Sequence, residues 1–159
     1  MRVGSGLDVH AFAYGLPLWI GGVLIPHPRG LAGHSDGDAA THALIDALLG
    51  AAGQSDIGEW FPSTDKRWHG ARSADMLRQV WSSLLADGWR LENADLTIVA
   101  AEPRLSPYRT HMRSTLAASL QCDVERVSVK ATTSDGLGAI GRAEGILASA
   151  VVLLVRGVD

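Results

Sequence analysis

The stretch that most constrains this chain is Gly33–Gly50, GHSDGDAATHALIDALLG. Two glycines, Gly33 and Gly37, punctuate a polar run of His34, Ser35, Asp36 and Asp38. The chain then passes at once into an apolar helical pattern that carries His42. The spacing predicts a helix over 39–52, with Ala43, Leu44, Ala47 and Leu48 on its apolar face and Gly53 as its stop. Asp38 and His42 are four apart, hence one turn apart on one helix face. An aspartate there also suits a helix N-terminus, as a cap and as a partner of the dipole. Two readings stand side by side. Asp36 and Asp38 are caps and His42 a surface histidine, or the two acids and two histidines belong to a metal or phosphate site.

The amino terminus bears on that choice. Residues 2–10 alternate loosely, with Val3, Leu7 and Val9 on one parity and Asp8 and His10 on the other. In a strand, Asp8 and His10 project from one side. Carboxylate and imidazole so placed form a compact arm for a divalent cation, and both suit zinc. The alternative is the polar outer face of an edge strand. With His42 the set becomes Asp-His-His with one coordination position open, the arrangement of catalytic rather than structural zinc sites.

Composition removes several function classes. The chain of 159 residues is read as one domain. Its 14 basic and 17 acidic residues leave a net charge of −3 and no basic patch, which argues against a nucleic-acid partner. No apolar run approaches the roughly 20 residues of a membrane span. The first residues lack a basic segment followed by an apolar one, so no signal peptide is expected. The single cysteine, Cys122, excludes an internal disulfide and a CxxC site, and reads as a buried inert thiol. Together these point to a cytoplasmic protein, or to one that is mature in an organelle.

Elsewhere, residues 16–25 predict a strand pair broken at Gly21-Gly22 and ended by Pro26 and Pro28. Residues 55–65, SDIGEWFPSTD, predict a loop, neither helix nor strand. It either holds a polyhydroxy ligand or is a surface loop pinned by Trp60 and Phe61. A helix over 73–88 is capped by Ser73 and closed by Gly88, and a strand follows over 95–101. Ser106 caps a third helix with Pro107 at its first position, running to about 121. A short strand over 127–131 leads into Thr132-Thr133-Ser134-Asp135-Gly136-Leu137-Gly138. That run is either an ordinary hydroxyl-rich turn or a loop that approaches phosphate oxygens. The strand over 145–156 is apolar on both parities, as if buried on two faces, one of them by another subunit. The sum is an α+β fold, a single mixed sheet with helices packed on one face.

Several segments resemble one family across essentially the whole chain. They are GLDVHAF at 6–12, IGGVLIP at 20–26, GHSDGDAATHALIDALLGAA at 33–52, DIGEWFPSTD at 56–65, VKATTSDGLG at 129–138 and GRAEG at 141–145. The family is that of the 2-C-methyl-D-erythritol 2,4-cyclodiphosphate synthases of the non-mevalonate isoprenoid pathway. The resemblance implies a homotrimer with sheets facing the three-fold axis and active sites between subunits. It implies zinc on Asp8, His10 and His42, and magnesium or manganese bridging the diphosphate with help from Asp135. His34 and Thr133 would flank the reacting phosphates and act in catalysis. Val9 and Ser35 would join Asp8, His10 and His34 against the substrate. Asp56, Ile57 and Gly58, with Phe61, Pro62, Ser63, Thr64 and Asp65, would hold the erythritol part. Ala100, Ala101, Glu102, Pro103, Arg104, Leu105 and Ser106 would hold the cytidine. Thr132, Thr133, Ser134 and Asp135 would hold its diphosphate, from a neighbouring subunit. Ala139 and Arg142 would lie near the trimer axis.

The implied reaction is intramolecular phosphoryl transfer in a cytidine diphosphate-linked substrate with release of CMP. The chain departs from the family pattern at Asp135 (usually glutamate), Gly136 (often lysine), Ser63 (usually an acid) and Ala139 (usually a bulky aromatic). Two other functions fit the residues alone. One is a zinc-dependent phosphohydrolase with His34 or Asp38 as base. The other is a binding protein for isoprenoid diphosphates or an assembly partner, with no metal requirement.

Overall fold

The computed structural model describes residues 1–157. β1 (Arg2–Tyr14) lies between β4 (Arg29–Leu31) and β7 (Gly145–Arg156), antiparallel to both, so it is not an edge strand. β5 (Trp89–Val99) pairs antiparallel with β7, and β6 (Val127–Thr132) pairs parallel with β5. The sheet order is β4-β1-β7-β5-β6, the mixed sheet expected of an α+β chain. β2 (Leu18–Ile20) and β3 (Val23–Ile25) form a separate hairpin. Gly21 and Gly22 make its turn with φ of 57° and 75°, the two positive values a tight two-residue turn requires.

β5 begins at Trp89, six residues before the expected start. A bulge between Leu91 and Asn93 shifts the register and breaks the period-two pattern there. β4 has only three residues, too few to show any period.

α1 (Ala39–Ala52) has the expected bounds, and Gly53 closes it in the left-handed conformation with φ 74°. α2 (Ile57–Trp60) is a single turn inside the stretch read as loop. α3 (Ser73–Ala86) starts at Ser73 rather than being capped by it. Ser106 opens a 3₁₀ turn (Ser106–Tyr108), and α4 (Arg109–Ser119) follows with no side-chain cap. Ser106 Oγ instead accepts from Arg104 Nε at 3.0 Å. α5 (Gly138–Gly141) is another single turn, beginning where the hydroxyl-rich run ends.

Two glycines let α1 lie against β1. A Cβ at Gly4 would stand 2.0 Å from the Ala47 carbonyl oxygen, and one at Gly6 2.0 Å from that of Ala43. Only the absence of side chains on the strand, opposite alanines on the helix, permits so close an approach. The same parity of β1 then carries Asp8 and His10 toward the helix. The apolar parity faces outward, reversing the polar-outside alternative. Val3, Leu7 and Val9 are 68%, 61% and 54% exposed, and Val151 of β7 joins them. The inward parity of β7 (Ile146, Ala148, Ala150, Val152, Leu154) is buried with Leu44, Ile45 and Leu48 of α1. Among the described residues no helix is long and apolar enough to cross a membrane.

Candidate metal centre

Asp8 and His10 come from β1, His42 from the first turn of α1, and the strand–helix contact brings them together. Asp8 Oδ2 lies 2.9 Å from His10 Nε2 and 3.1 Å from His42 Nδ1, and the two nitrogens are 3.2 Å apart. Among the described residues these three form a group that can hold a metal ion.

The outer contacts fix which ring nitrogens face inward. His10 Nδ1 lies 2.5 Å from the Ala32 carbonyl, which can only accept, so Nδ1 carries the proton and Nε2 presents a lone pair. His42 Nε2 lies 2.8 Å from Ser73 Oγ and 3.0 Å from Ser35 Oγ. Ser73 Oγ gives its own proton to Asp36, so it accepts from His42 Nε2 and leaves the Nδ1 lone pair facing inward. Two imidazole lone pairs and a carboxylate oxygen therefore converge on one point. The cluster is short of one positive charge, which either a proton on His10 or a divalent cation supplies.

The electrostatics agree. Burial alone would raise the Asp8 carboxyl, but hydrogen bonding with His10 and His42 holds it far below the usual carboxylate range. His10 is raised above the ordinary imidazole value, chiefly by its hydrogen bond to Asp8 and against the opposing effect of burial.

Asp36 and Asp38 of the 33–50 stretch are structural. Asp38 is fully buried; its carboxylate caps α1 through Thr41 N (3.0 Å) and accepts from Gly21 N (2.8 Å) and Gly22 N (2.6 Å). It thus pins the β2–β3 turn to the helix and is not free to act as a base. Asp36 caps α3 from outside, accepting from Ser73 N at 3.0 Å and from Arg72 Nε at 3.3 Å. Both are caps, whereas His42 is one of three residues that could hold a metal ion, so the two initial readings divide between different residues.

The remaining candidates fall in three places. His34 is half-buried beside the cluster loop, its Nε2 3.5 Å from the Asp65 carbonyl and its ring edge-on to His69. Asp56 caps α2 through Glu59 N at 3.0 Å, and Ile57 N donates to Asp46 at 2.8 Å. Phe61 is buried edge-on against Trp68 and pins that loop, whereas Ser63 and Thr64 are exposed and Asp65 pairs with Arg67. The third place is a cavity of about 260 Å³ between the loop after β5 and the end of β6. Ala100, Arg104, Leu105, Ser106, Thr132 and Thr133 line it. Beyond it Thr133 Oγ1 donates to Asp135 at 3.0 Å, and Arg142 pairs with Glu144 at 2.6 Å.

A model of the YgbB family matches residues 1–155. The chain belongs to the YgbB family. A curated family relative from Alcanivorax borkumensis, named 2-C-methyl-D-erythritol 2,4-cyclodiphosphate synthase, is 55% identical over 97% of this chain and 96% of its own. A solved structure of a synthase of that name in a CDP-bound form is 43% identical, with a TM-score of 0.88 over 97% of this chain and 100% of the other. The bifunctional IspDF of Campylobacter jejuni matches 98% of this chain at 42% identity and a TM-score of 0.94; this chain spans 42% of that longer chain.

Within this YgbB-family chain, sequence reasoning missed the outer contacts of the histidines. Ser73 was read only as a cap, and the Ala32 carbonyl carries no side-chain signal. Ser73 lies 31 residues from His42, and no spacing rule links them.

Proposed function

We propose that the protein converts 4-diphosphocytidyl-2-C-methyl-D-erythritol 2-phosphate to 2-C-methyl-D-erythritol 2,4-cyclodiphosphate with release of CMP, as a phosphorus–oxygen lyase. The observation that carries this is the convergence of Asp8, His10 and His42 in a chain that aligns over nearly its full length with synthases of that name. A 2-phosphate oxygen forms a bond to the β-phosphorus, and the bond from that phosphorus to the bridging oxygen breaks. The electron pair leaves on CMP. The nucleophile is already an anion near neutral pH, so no strong base is required. That suits a site whose Asp38 is fully committed to capping. Asp8, His10 and His42 would hold zinc, which would supply positive charge to a phosphate oxygen, and Asp135 would help hold magnesium or manganese, which would supply it to the diphosphate. His34, Ser35 and the hydroxyl of Thr133 position the phosphates so that attack is intramolecular.

The register favours an active site shared between chains. Val9, Leu147, Val99 and Thr132 stand in one row across β1, β7, β5 and β6. Three strand spacings place Thr132 about 14 Å from Val9. In one chain the Thr133 hydroxyl therefore sits too far from the Asp8–His10–His42 cluster to share a phosphate with it. A homotrimer with the outward sheet faces turned to the axis would bring the 132–135 loop of one copy to the cluster of the next.

Phosphorus NMR of the purified protein with this substrate tests the reading. A cyclic diphosphate plus CMP, lost on chelation and restored by zinc with magnesium, is the expected result. Inorganic phosphate would favour hydrolysis, and binding without turnover would favour the non-catalytic alternative.

A further inference from the structure

The loop after β5 is held on its far side by one ion pair. Glu102 alone among residues 100–106 does not line the 260 Å³ cavity. Its Oε1 accepts from Arg29 at 2.5 Å, and His27 Nε2 stands 3.5 Å from the same oxygen. Arg29 belongs to β4, at the opposite side of β1 and β7 from β5. Its guanidinium lies over the Phe12 ring, 4.5 Å from the centroid, which fixes the direction in which it reaches. The pair thus spans the end of the sheet, above the strand that carries Asp8 and His10. Ala32, whose carbonyl orients His10, directly follows β4 in the chain.

We propose that Arg29 and Glu102 are positioning residues that hold the 100–106 loop in the shape that receives a cytidine diphosphate group. The inference rests on the reading of this cavity as the nucleotide pocket. Both side chains are partly solvent-exposed, 21% for Arg29 and 48% for Glu102. Such a bridge adds little to global stability. Its geometric effect is local: it fixes the backbone turn on which Ala100, Arg104 and Ser106 are carried. Ala101 and Pro103, its neighbours in the chain, line the cavity directly, so releasing Glu102 releases the wall between them.

The test uses the full-length protein as Glu102→Gln, Arg29→Met and the charge-swapped double variant Arg29→Glu/Glu102→Arg. CDP affinity by calorimetry, KM and kcat for the substrate, bound zinc and thermal midpoint are measured for each. Each single variant should weaken CDP binding and raise KM by about tenfold while kcat changes by less than about twofold, the pattern of lost binding rather than lost chemistry. Zinc content and thermal midpoint should stay near wild type, and the swapped pair should recover part of the CDP affinity. Single variants that bind CDP as tightly as wild type, with KM unchanged, would overturn the inference and leave the pocket assignment standing. A fall in thermal midpoint with KM unchanged would make the pair a structural strut and overturn it too. Wild-type protein that binds no CDP would overturn the pocket assignment, and this inference with it.

Discussion

At the scale of residues, the decisive feature is that two imidazole lone pairs meet a carboxylate with no positive charge between them. His10 is raised above the ordinary imidazole value of about 6.5. In the metal-free protein its proton therefore contributes stability that is complete below the ordinary value and fades as pH rises through the raised one. A cation needs the same lone pair. Its affinity should accordingly rise over that interval, with release of a proton on binding. Zinc calorimetry between about pH 6 and 8.5, in buffers of different ionisation enthalpy, checks this; a pH-independent affinity would contradict it. The outer contacts make a second prediction. Ser73→Ala removes the acceptor that fixes the His42 tautomer, and should weaken zinc by ten- to a hundredfold, toward the lower end because Ser35 remains. Competition with a chromogenic chelator measures it, and an unchanged constant would show that Ser73 serves only as a donor to Asp36.

At the scale of elements, the site depends on how closely α1 lies on β1. The Gly4 and Gly6 contacts with the Ala47 and Ala43 carbonyls set that distance. Gly6→Ala must push the helix away or bend the strand, at a cost of about 2–4 kcal/mol. Because His42 rides on the helix and Asp8 on the strand, the same change should lower zinc occupancy. Gly15→Ala is the control. Nothing lies within 4 Å of a Cβ there, and only its φ of 77° penalises a side chain, by about 1 kcal/mol. Urea denaturation with zinc analysis separates the two. Equal losses would mean that backbone conformation, not the strand–helix approach, governs the site. α1 was legible because fourteen residues show a full helical period, and its glycine stop is a local signal. α2 and α5 were hidden because one turn shows no period at all. The start of β5 was hidden because its bulge interrupts alternation where the pattern had to be read.

At the scale of the whole molecule, the outward row of Val3, Leu7, Val9 and Val151 is apolar surface that one chain leaves in water. Exposed apolar side chains of this kind are what an interface between copies would cover. Val3→Asp and Val151→Asp should leave the chain folded, since both side chains are exposed in it, yet prevent assembly. Sedimentation should give about three times the 16.8 kDa chain mass for the parent protein and the single-chain mass for the variants. Loss of assembly should lower activity, because in one chain Thr133 follows β6, three strands away from the β1 that carries Asp8 and His10. Variants that sediment like the parent would place the interface elsewhere.

The sequence alone determined the chemistry available: the ligand types Asp8, His10 and His42, the helix over 39–52, the hydroxyl-rich loop at 132–138 and the mixed α+β character. These are local facts, set by residue type and by periods of two and 3.6, and they need no knowledge of distant neighbours. Only the tertiary structure decided which parity of β1 faces the helix. Counting apolar residues points the wrong way there, since glycine, not valine, allows the closer packing. It also decided that Asp36 and Asp38 spend their carboxylates on backbone amides, and that Ser73 and the Ala32 carbonyl aim the two imidazoles. Apart from the local Asp38–Thr41 cap, those contacts join residues that the chain holds far apart, and only the folded arrangement brings them within hydrogen-bonding distance.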